Sequence, residues 1–489
     1  MVFADIPFVF YFLPITLALY FGAFALTKYG IKKDSLKARN GALLLASLVF
    51  YIWGGGWFIL ILMVSITIDF VFGWMIDDAH QQGNKRRAKT AMLASAVLNL
   101  SLLFFFKYAN FVTGEVSALS DKLGFGATPV TDFILPIGIS FFTLQSLSYS
   151  IDVYRGRCRH LTNFFDFTLF VVLFPQLIAG PIVRFHELAD QLYHRQESVE
   201  MFAQGALRFS HGLAKKVIVA DSIARISDAV YDLPGGELNF ATAWLGVLAF
   251  AFQLYFDFSG YSDMAIGLGL MFGFRFPENF NRPYSAISLT DFWRRWHITL
   301  SNFIRDYLYI PLGGNRVGPV RKQVNLIIIF LAIGIWHGAN WTFFWFGLYH
   351  GVLIVIENIT GQDKVTTEGV SWVWPRRIGT FLLILICYPM FNGHTMSQAI
   401  DFYQAMFWPS GTALPAAVED AMTNLNTLML FGATLTIFLP RDFRMGVILE
   451  KAQGMWPTAA RVAVMGGALP YAAAVMAAGS FSPFLYFQF

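Results

Sequence analysis

The sequence predicts an all-α protein that crosses a membrane many times. Of its 489 residues, 56% are hydrophobic and only 13% are charged, and the mean hydropathy is +0.54. A soluble domain carries roughly twice that share of charge. Since one crossing needs about 20 apolar residues, we predict about 11–13 membrane segments, some of them re-entrant. We expect them to form a single membrane-embedded domain over residues 1–489.

The first half of the chain predicts a regular alternation of spans and loops. An apolar run at 8–26 has no basic leader and no small-residue cleavage site, so we expect a retained span rather than a signal peptide. Basic clusters at 28–39 and 85–89 enclose the run 41–75, which is long enough for two spans hinged near residues 54–56. The positive-inside rule then places both clusters in the cytoplasm and the N-terminus outside.

Three further segments continue this alternation. The apolar run 91–106 leads to a predicted external loop at 110–132, which has one lysine against three acids. A span at 133–151 then returns to arginines inside the cell. Beyond it, prolines at 181, 277 and 283 interrupt the pattern and predict half-length or re-entrant helices.

Positive charge is concentrated in residues 275–322. Eight arginines and lysines against three acids give this segment +5, more than the +4 of the whole chain. We expect it to face the cytoplasm, where it could contact anionic lipid headgroups or bind a phosphate-bearing cofactor. The candidate cofactor-binding arginines are Arg294, Arg295, Arg305 and Arg316.

Part of this segment, residues 291–306, has the periodicity of an interfacial amphipathic helix. Ser288 and Asp291 resemble a capping box at its start. Its predicted apolar face consists of Trp293, His297, Leu300 and Ile304. His297 is either a hydrogen-bonded core residue or a participant in chemistry.

His337 is the strongest candidate for a catalytic group. It follows Lys322, the last cytoplasmic charge, by 15 residues, which is about 22 Å along a helix. This depth lies within a hydrocarbon core about 30 Å thick. A titratable side chain there indicates function, although a polar contact between helices is the alternative.

A turn at 338–340 would place His337 at the apex of a hairpin, where freed backbone N–H groups could hold an oxyanion. We count Asn340, in this turn, among the candidate cofactor-binding residues. His350 lies 13 residues beyond His337, about 220° around an ideal helix, so it need not face the same cavity.

Asp257, Tyr261 and Asp263 form a polar group in an otherwise apolar stretch. Buried carboxylates require partners, and we expect an arginine of the segment 275–322 to supply one; a structural ion pair is the more common explanation. The sequence has no P-loop, no Gly-x-Ser-x-Gly elbow, no His-x4-Asp signature and no metal-type His/Glu pair. Two cysteines, Cys158 and Cys387, are too few for a disulfide framework or a zinc site.

Several motifs together resemble the membrane-bound O-acyltransferase family, in particular its bacterial branch that O-acetylates alginate. They are LPIGISF at 135–141, FPQLIAGPIVRF at 174–185, QLYFDFSGYSDMAIGLGLM at 253–271, ENFNRPY at 278–284, FWRRWHITLS at 292–301, RDYLYIPLGGNR at 305–316, WHGANWT at 336–342 and FLYFQF at 484–489. The resemblance covers nearly the whole chain.

The resemblance implies helices around a central tunnel, with acetyl-CoA entering from the cytoplasm as acyl donor and with no metal or nucleic acid. It implies that His337 is the catalytic histidine and His297 the second family histidine. Asp257, Tyr261 and Asp263 are further tunnel candidates. The acetyl group would pass to an exported polysaccharide, alginate first, through periplasmic acetyltransferases at the bacterial inner membrane.

Alternatives remain at two levels. Within the enzyme class, the acceptor could be cellulose or peptidoglycan, or the reaction could be D-alanylation of teichoic acid. Outside it, a transporter or flippase without covalent chemistry would also use broken helices and intramembrane polar groups. The two halves of the chain show no inverted repeat, which disfavours the transporter.

Overall fold

A computed structural model describes residues 2–28, 35–366, 372–408, 410–441, 443–479 and 484–485. Every regular element within these ranges is a helix, which confirms the predicted all-α class. Lys32 and Lys33 of the first predicted basic cluster, and residues 486–489 of the C-terminal motif, lie outside the described residues.

The chain forms two compact units, and each unit combines two separate stretches of sequence. The first unit comprises Met1–Ala206 with Ala265–Pro277, and the second comprises Leu207–Met264 with Glu278–Phe489. The prediction of a single membrane-embedded domain stays a prediction.

The first unit is a set of packed helices in which α1 lies against α2, and α3, α4 and α5 pack on one another. The predicted hinge near residues 54–56 is confirmed, because α2 ends there and Gly56 has φ 54°. The helices are α1 (Leu13–Lys28), α2 (Ser35–Gly55), α3 (Ile59–Gln81), α4 (Lys85–Lys122), α5 (Ile139–Tyr154), α6 (Phe164–Val172), α7 (Phe174–Leu177), α8 (Phe185–Leu188) and α9 (Gln191–His194).

Helix α4 is longer than its predicted apolar run of 91–106 and includes the first half of the predicted loop 110–132. That part of the prediction is wrong. The sequence from 107 to 122 has no proline and a single glycine, so polarity alone does not stop the helix. It ends where Gly124 and Gly126 adopt φ of 82° and 80°, a conformation that glycine adopts without steric cost.

The second unit is built around the antiparallel pair α15 and α16. Two further helices, α10 (Val199–Ala214) and α12 (Phe240–Met271), contribute residues to both units. The remaining helices are α11 (Asp221–Tyr231), α13 (Leu289–Trp293), α14 (Ile298–Ile304), α15 (Pro319–His337), α16 (Trp341–Ile359), α17 (Val373–Asn392), α18 (Met396–Phe407), α19 (Ala416–Ala421), α20 (Asn424–Leu435), α21 (Met445–Lys451), α22 (Met455–Ala463) and α23 (Leu469–Ala477).

Glycine permits the close approach of α15 and α16. A Cβ atom on Gly347 would lie 2.6 Å from the carbonyl oxygen of Phe330, and real Cβ atoms do not come so close to a backbone oxygen. Gly334 is similarly pressed against the carbonyl oxygen of Phe343. The hairpin therefore holds His337, at the end of α15, against the first turns of α16.

Seven helical segments among the described residues are long and apolar enough to cross a membrane, which confirms a polytopic membrane protein. Leu36–Gln81 has 46 residues and contains the hinge, so it is long enough for two crossings. The predicted number of membrane segments, which includes shorter and re-entrant helices, stays a prediction, as do the orientation of the N-terminus and the implied tunnel. The segments are Pro7–Ala25, Leu36–Gln81, Lys85–Lys122, Phe240–Met271, Pro319–His337, Trp341–Ile359 and Met455–Ala477.

Candidate active site

His337 is the last residue of α15 and stands at the apex of the predicted hairpin. Its side chain is buried, with 3% of the residue exposed. The imidazole lies among aromatic rings, with centroids 5.1 Å from Phe391 and 5.9 Å from Phe346. The structure thus agrees with the prediction of a buried histidine next to a helix break.

A cavity of about 10 Å³ adjoins His337. This is roughly the volume that the centre of one water molecule requires. Most of its wall is aromatic, and its polar or titratable members are His337, His350, Cys387, Tyr388, Trp293 and Trp296. A reacting acyl group in this cavity would therefore contact few groups that can form a hydrogen bond or transfer a proton.

His350 lines this cavity together with His337. The sequence did not predict this, because 13 residues along an ideal helix would put the two side chains on different faces. The predicted angle of about 220° assumes one continuous helix from His337 to His350, but residues 338–340 interrupt the helix. A better signal lay within α16, where Phe343, Phe346 and His350 recur at i, i+3 and i+7 and are all buried. Trp293 donates a long hydrogen bond of 3.4 Å from its indole Nε1 to Nδ1 of His350.

His297 is completely buried and sits just before α14, with φ 44° and ψ 54°. Its Nδ1 lies 3.1 Å from Oδ1 of Asn279. That oxygen also accepts the backbone N–H and hydroxyl of Thr299, at 3.3 and 2.9 Å. An amide oxygen only accepts, so Nδ1 of His297 carries the proton and Nε2 carries the lone pair. Burial lowers the pKa of His297 to about 3, which keeps the ring neutral at neutral pH.

The indole of Trp336 lies between His297 and His337, the two histidines predicted to belong to the site. Its ring centroid lies 6.0 Å from that of His297 and 5.0 Å from that of His337. His297 also has the ring of Phe258 at 4.8 Å. Both histidines are therefore held by aromatic packing around a shared indole.

The predicted continuous helix over 291–306 is wrong, because it breaks at His297 into α13 and α14. Residues 279–281 explain the break by competing for backbone hydrogen bonds. Asn281 N–H donates to the carbonyl of Arg295, and Ile298 N–H donates to the carbonyl of Asn279, both at 2.9 Å. The Ser288 cap is confirmed by its 3.0 Å bond from Asp291 N–H.

The candidate arginines differ in environment. Arg294, Arg305 and Arg316 are exposed, which suits contact with a phosphate. Arg305 already donates from its Nε to Oδ1 of Asp306 at 2.8 Å. Arg295 is half-buried, and its Nε donates to Asp291 at 2.8 Å, so its charge is paired inside the protein.

Asn340 performs a structural role at the start of α16. Its side-chain oxygen accepts the N–H of Thr342 at 3.3 Å, and its carbonyl accepts the N–H groups of Phe343 and Phe344. These three N–H groups are therefore occupied, and the prediction that backbone N–H groups at the helix break hold an oxyanion stays a prediction. A role for Asn340 in cofactor binding stays a prediction.

Asp257 and Asp263 belong to a set of buried and half-buried paired charges, here called the ion cluster: Arg208, Lys215, Lys216, Asp257, Asp263, Glu278 and Glu450. Asp257 pairs with Lys216 at 2.8 Å, and Asp263 pairs with Arg208 at 2.7 Å. The prediction that an arginine of the basic segment 275–322 pairs with these carboxylates is wrong, because the cations that contact them belong to residues 208–216. The commoner explanation, a structural ion pair, agrees with these contacts.

Tyr261 is buried and stacks on Phe484, with ring centroids 4.5 Å apart. Asp257, a member of the ion cluster on the same helix, accepts the backbone N–H of Leu485 at 2.8 Å. These contacts tie the C-terminal residues to α12. A tunnel-lining role for Asp257, Tyr261 and Asp263 stays a prediction.

Comparison with known proteins gives consistent matches. Residues 100–391 match the sequence profile of MBOAT, the membrane-bound O-acyltransferase family. The chain is 40% identical to the Probable alginate O-acetylase AlgI of Azotobacter vinelandii, with 100% of both chains covered. It is 42% identical to the protein of the same name from Pseudomonas syringae pv. tomato, over 91% of this chain and 82% of that one.

A peptidoglycan O-acetyltransferase of Helicobacter pylori is also similar. It is 37% identical to this chain over 86% of this chain and 82% of its own length. The region matched by the family profile contains His297, His337 and His350.

Proposed function

Because this chain belongs to the membrane-bound O-acyltransferase family, we propose that it transfers acetyl groups from cytosolic acetyl-CoA toward an exported polysaccharide, with alginate as the polymer. One observation carries the proposal: a buried histidine at the hairpin apex lines an aromatic cavity, in a chain 40% identical over its full length to an alginate O-acetylase.

His337 acts as the general base in this proposal. Its imidazole takes the proton from the acceptor hydroxyl while the hydroxyl oxygen bonds to the thioester carbonyl carbon. The C–S bond then breaks, and the imidazolium returns the proton to the departing thiolate, which leaves as CoA thiol. Such catalysis typically contributes about 10²–10⁴-fold in rate. In a covalent variant, the imidazole itself carries the acetyl group between the two half-reactions.

The apolar wall supports acyl transfer over hydrolysis. Phe346 and Phe391 pack on His337 at 5.9 and 5.1 Å, and the cavity holds about one water centre. Exclusion of bulk water protects a reactive acyl group from hydrolysis. Side chains of this wall have to move when a thioester enters.

His297 orients a reactant or the Trp336 indole in this proposal. Its Nδ1–H is directed to Asn279, and its lone pair on Nε2 makes it an acceptor. Arg294, Arg305 and Arg316 bind phosphate groups of CoA, since exposed guanidinium groups form paired hydrogen bonds with phosphate oxygens.

The choice of alginate as the acceptor polymer follows from the relatives' names. We place the protein in the bacterial inner membrane with its N-terminus in the periplasm, where partner acetyltransferases receive the acetyl group. The second candidate acceptor is peptidoglycan, which the 37% identity with the Helicobacter pylori enzyme favours.

The polymer is identified by measuring O-acetyl esters in a strain that lacks the gene. Complementation with the wild-type chain should restore esters on exported alginate, whereas His337→Ala should not. His194→Ala serves as the matched control, because His194 is an exposed surface histidine. Restoration of esters on peptidoglycan instead would select the second candidate, and restoration by His337→Ala would contradict the proposed chemistry.

A further inference from the structure

His350 shares its cavity with the proposed base His337, and both residues are almost completely buried, with 1% and 3% exposed. They are carried by the two helices of the hairpin. The ring of Phe346 contacts both, with centroids 4.8 Å from His350 and 5.9 Å from His337. A group bound against His337 in this cavity would therefore also meet the wall formed by His350.

The hydrogen bond from Trp293 fixes the tautomer of His350. An indole N–H can only donate, and it lies 3.4 Å from Nδ1 of His350. Nδ1 must then carry the lone pair, because two N–H groups facing each other would repel. The ring proton resides on Nε2, so His350 offers a donor where His297 offers a lone pair.

Several other donors near His337 are already committed. The N–H groups of Thr342, Phe343 and Phe344 bond to Asn340. The hydroxyl of Tyr284 donates to the carbonyl of Ala251 at 2.6 Å. Tyr388 lies 2.8 Å from that hydroxyl and therefore donates its own proton to Tyr284.

We infer that His350 is a catalytic residue whose Nε2–H donates a hydrogen bond to the carbonyl oxygen of the acyl group. The inference rests on the proposed acyl transfer. When the acceptor oxygen bonds to the carbonyl carbon, the carbonyl electron pair moves onto oxygen, and a fixed donor stabilises that charge. His350 transfers no proton; the proton of the acceptor goes to His337 and then to the departing thiolate.

Two amide substitutions separate this role from a packing role. Glutamine places an amide N–H near the position of Nε2, whereas asparagine reaches only the position of Nδ1. We expect His350→Asn to lower kcat for CoA thiol release in nanodiscs by about 10²–10³-fold, as for loss of one oxyanion donor, with little change in KM for acetyl-CoA. His350→Gln should stay within roughly tenfold of wild type, because it keeps the donor.

The substitution Trp293→Phe tests the tautomer of His350 while His350 itself is unchanged. It removes the indole donor, so part of the His350 population can move its proton to Nδ1, and kcat should fall severalfold. ¹⁵N spectra of labelled protein should show protonated Nε2 in wild type and a mixture in the variant. Thermal unfolding of each variant confirms that it is folded.

Equal kcat in wild type and His350→Asn would overturn this inference alone, as would equal losses in the Asn and Gln variants. A wild-type spectrum with the proton on Nδ1 would overturn it independently of activity. Absence of thiol release by the wild-type protein would overturn the proposed function and this inference with it.

Discussion

Two buried polar regions of the second unit contrast in how their groups are satisfied. In the ion cluster, opposite charges meet directly, as in the 2.7 Å pair of Arg208 with Asp263. In the cavity, His337 and His350 are set among aromatic rings. A buried charge with matched partners holds the fold, whereas a buried imidazole beside a cavity can still exchange a hydrogen bond or a proton with a ligand.

This contrast separates residues that sequence alone would group together. Asp257, Asp263 and His337 are all polar interruptions of apolar stretches. Their partners show that the two carboxylates are neutralised by cations inside the protein. We therefore expect the ion cluster to govern stability and the cavity to govern turnover.

The largest effect on stability should come from Arg208. Its guanidinium contacts Asp263, Glu278 and Glu450 at 2.6–2.7 Å. Arg208→Met therefore leaves the half-buried Glu278 and Glu450 without this cation and the buried Asp263 with Lys215 alone. Breaking such a pair costs about 3–5 kcal/mol. Thermal unfolding in nanodiscs should show a large decrease in midpoint, with Arg86→Met, at an exposed position, as control. An unchanged midpoint would mean that the cluster does not stabilise the fold.

A paired substitution sharpens the same point. Lys216→Met alone leaves two carboxylates, Asp257 and Asp221, without their shared cation, whereas adding Asp257→Leu removes the more deeply buried of the two. Replacing a buried ion pair by apolar groups is often neutral. The double variant should therefore recover part of the stability lost in the single variant, and thiol release with it. Persistent loss of activity in a stable double variant would place Asp257 in the reaction.

A smaller effect concerns pH and His297. Burial lowers its pKa from 6.5 in the unfolded chain to about 3, so the unfolded chain binds the extra proton between these values. The free energy of unfolding is therefore not reduced by this site above pH 6.5, and it decreases as the pH falls from 6.5 toward 3. His297→Gln should unfold with a shallower pH dependence from 6.5 to 4.5. Identical slopes for the two proteins would contradict a neutral buried ring.

The smallest effect should come from Arg316, whose side chain is exposed. Arg316→Ala should raise KM for acetyl-CoA severalfold with little change in kcat, since a phosphate contact binds ground and transition states alike. The difference should shrink at high salt, because ions screen exposed charges. An unchanged KM at low salt would favour the lipid-contact alternative for this residue.

Features of the fold that depend on residues close together in the sequence are predictable. An apolar run, a turn at 338–340 and a second apolar run predicted the hairpin with His337 at its apex, and Ser288 was correctly predicted as a cap. Family membership followed from contiguous motifs such as 292–301 and 336–342, which lie within the matched region.

Features that depend on contacts between distant segments are not predictable in this way. The break at His297 depends on residues 279–281 competing for its neighbours' backbone hydrogen bonds, which no helical periodicity reveals. The partner of Asp263 comes from Arg208, 55 residues earlier in the chain. The position of His350 in the cavity is not predicted from the angle between His337 and His350, because the two residues lie on separate helices joined by the non-helical residues 338–340.

The central claim is that His337 performs acyl transfer from acetyl-CoA, and release of CoA thiol by purified protein in nanodiscs tests it most directly. Wild-type protein and His194→Ala should release thiol, with periplasmic fractions added as the source of acceptor, while His337→Ala should lose activity by about 10²–10⁴-fold, the usual contribution of a general base. Equal release by wild type and His337→Ala would contradict the account.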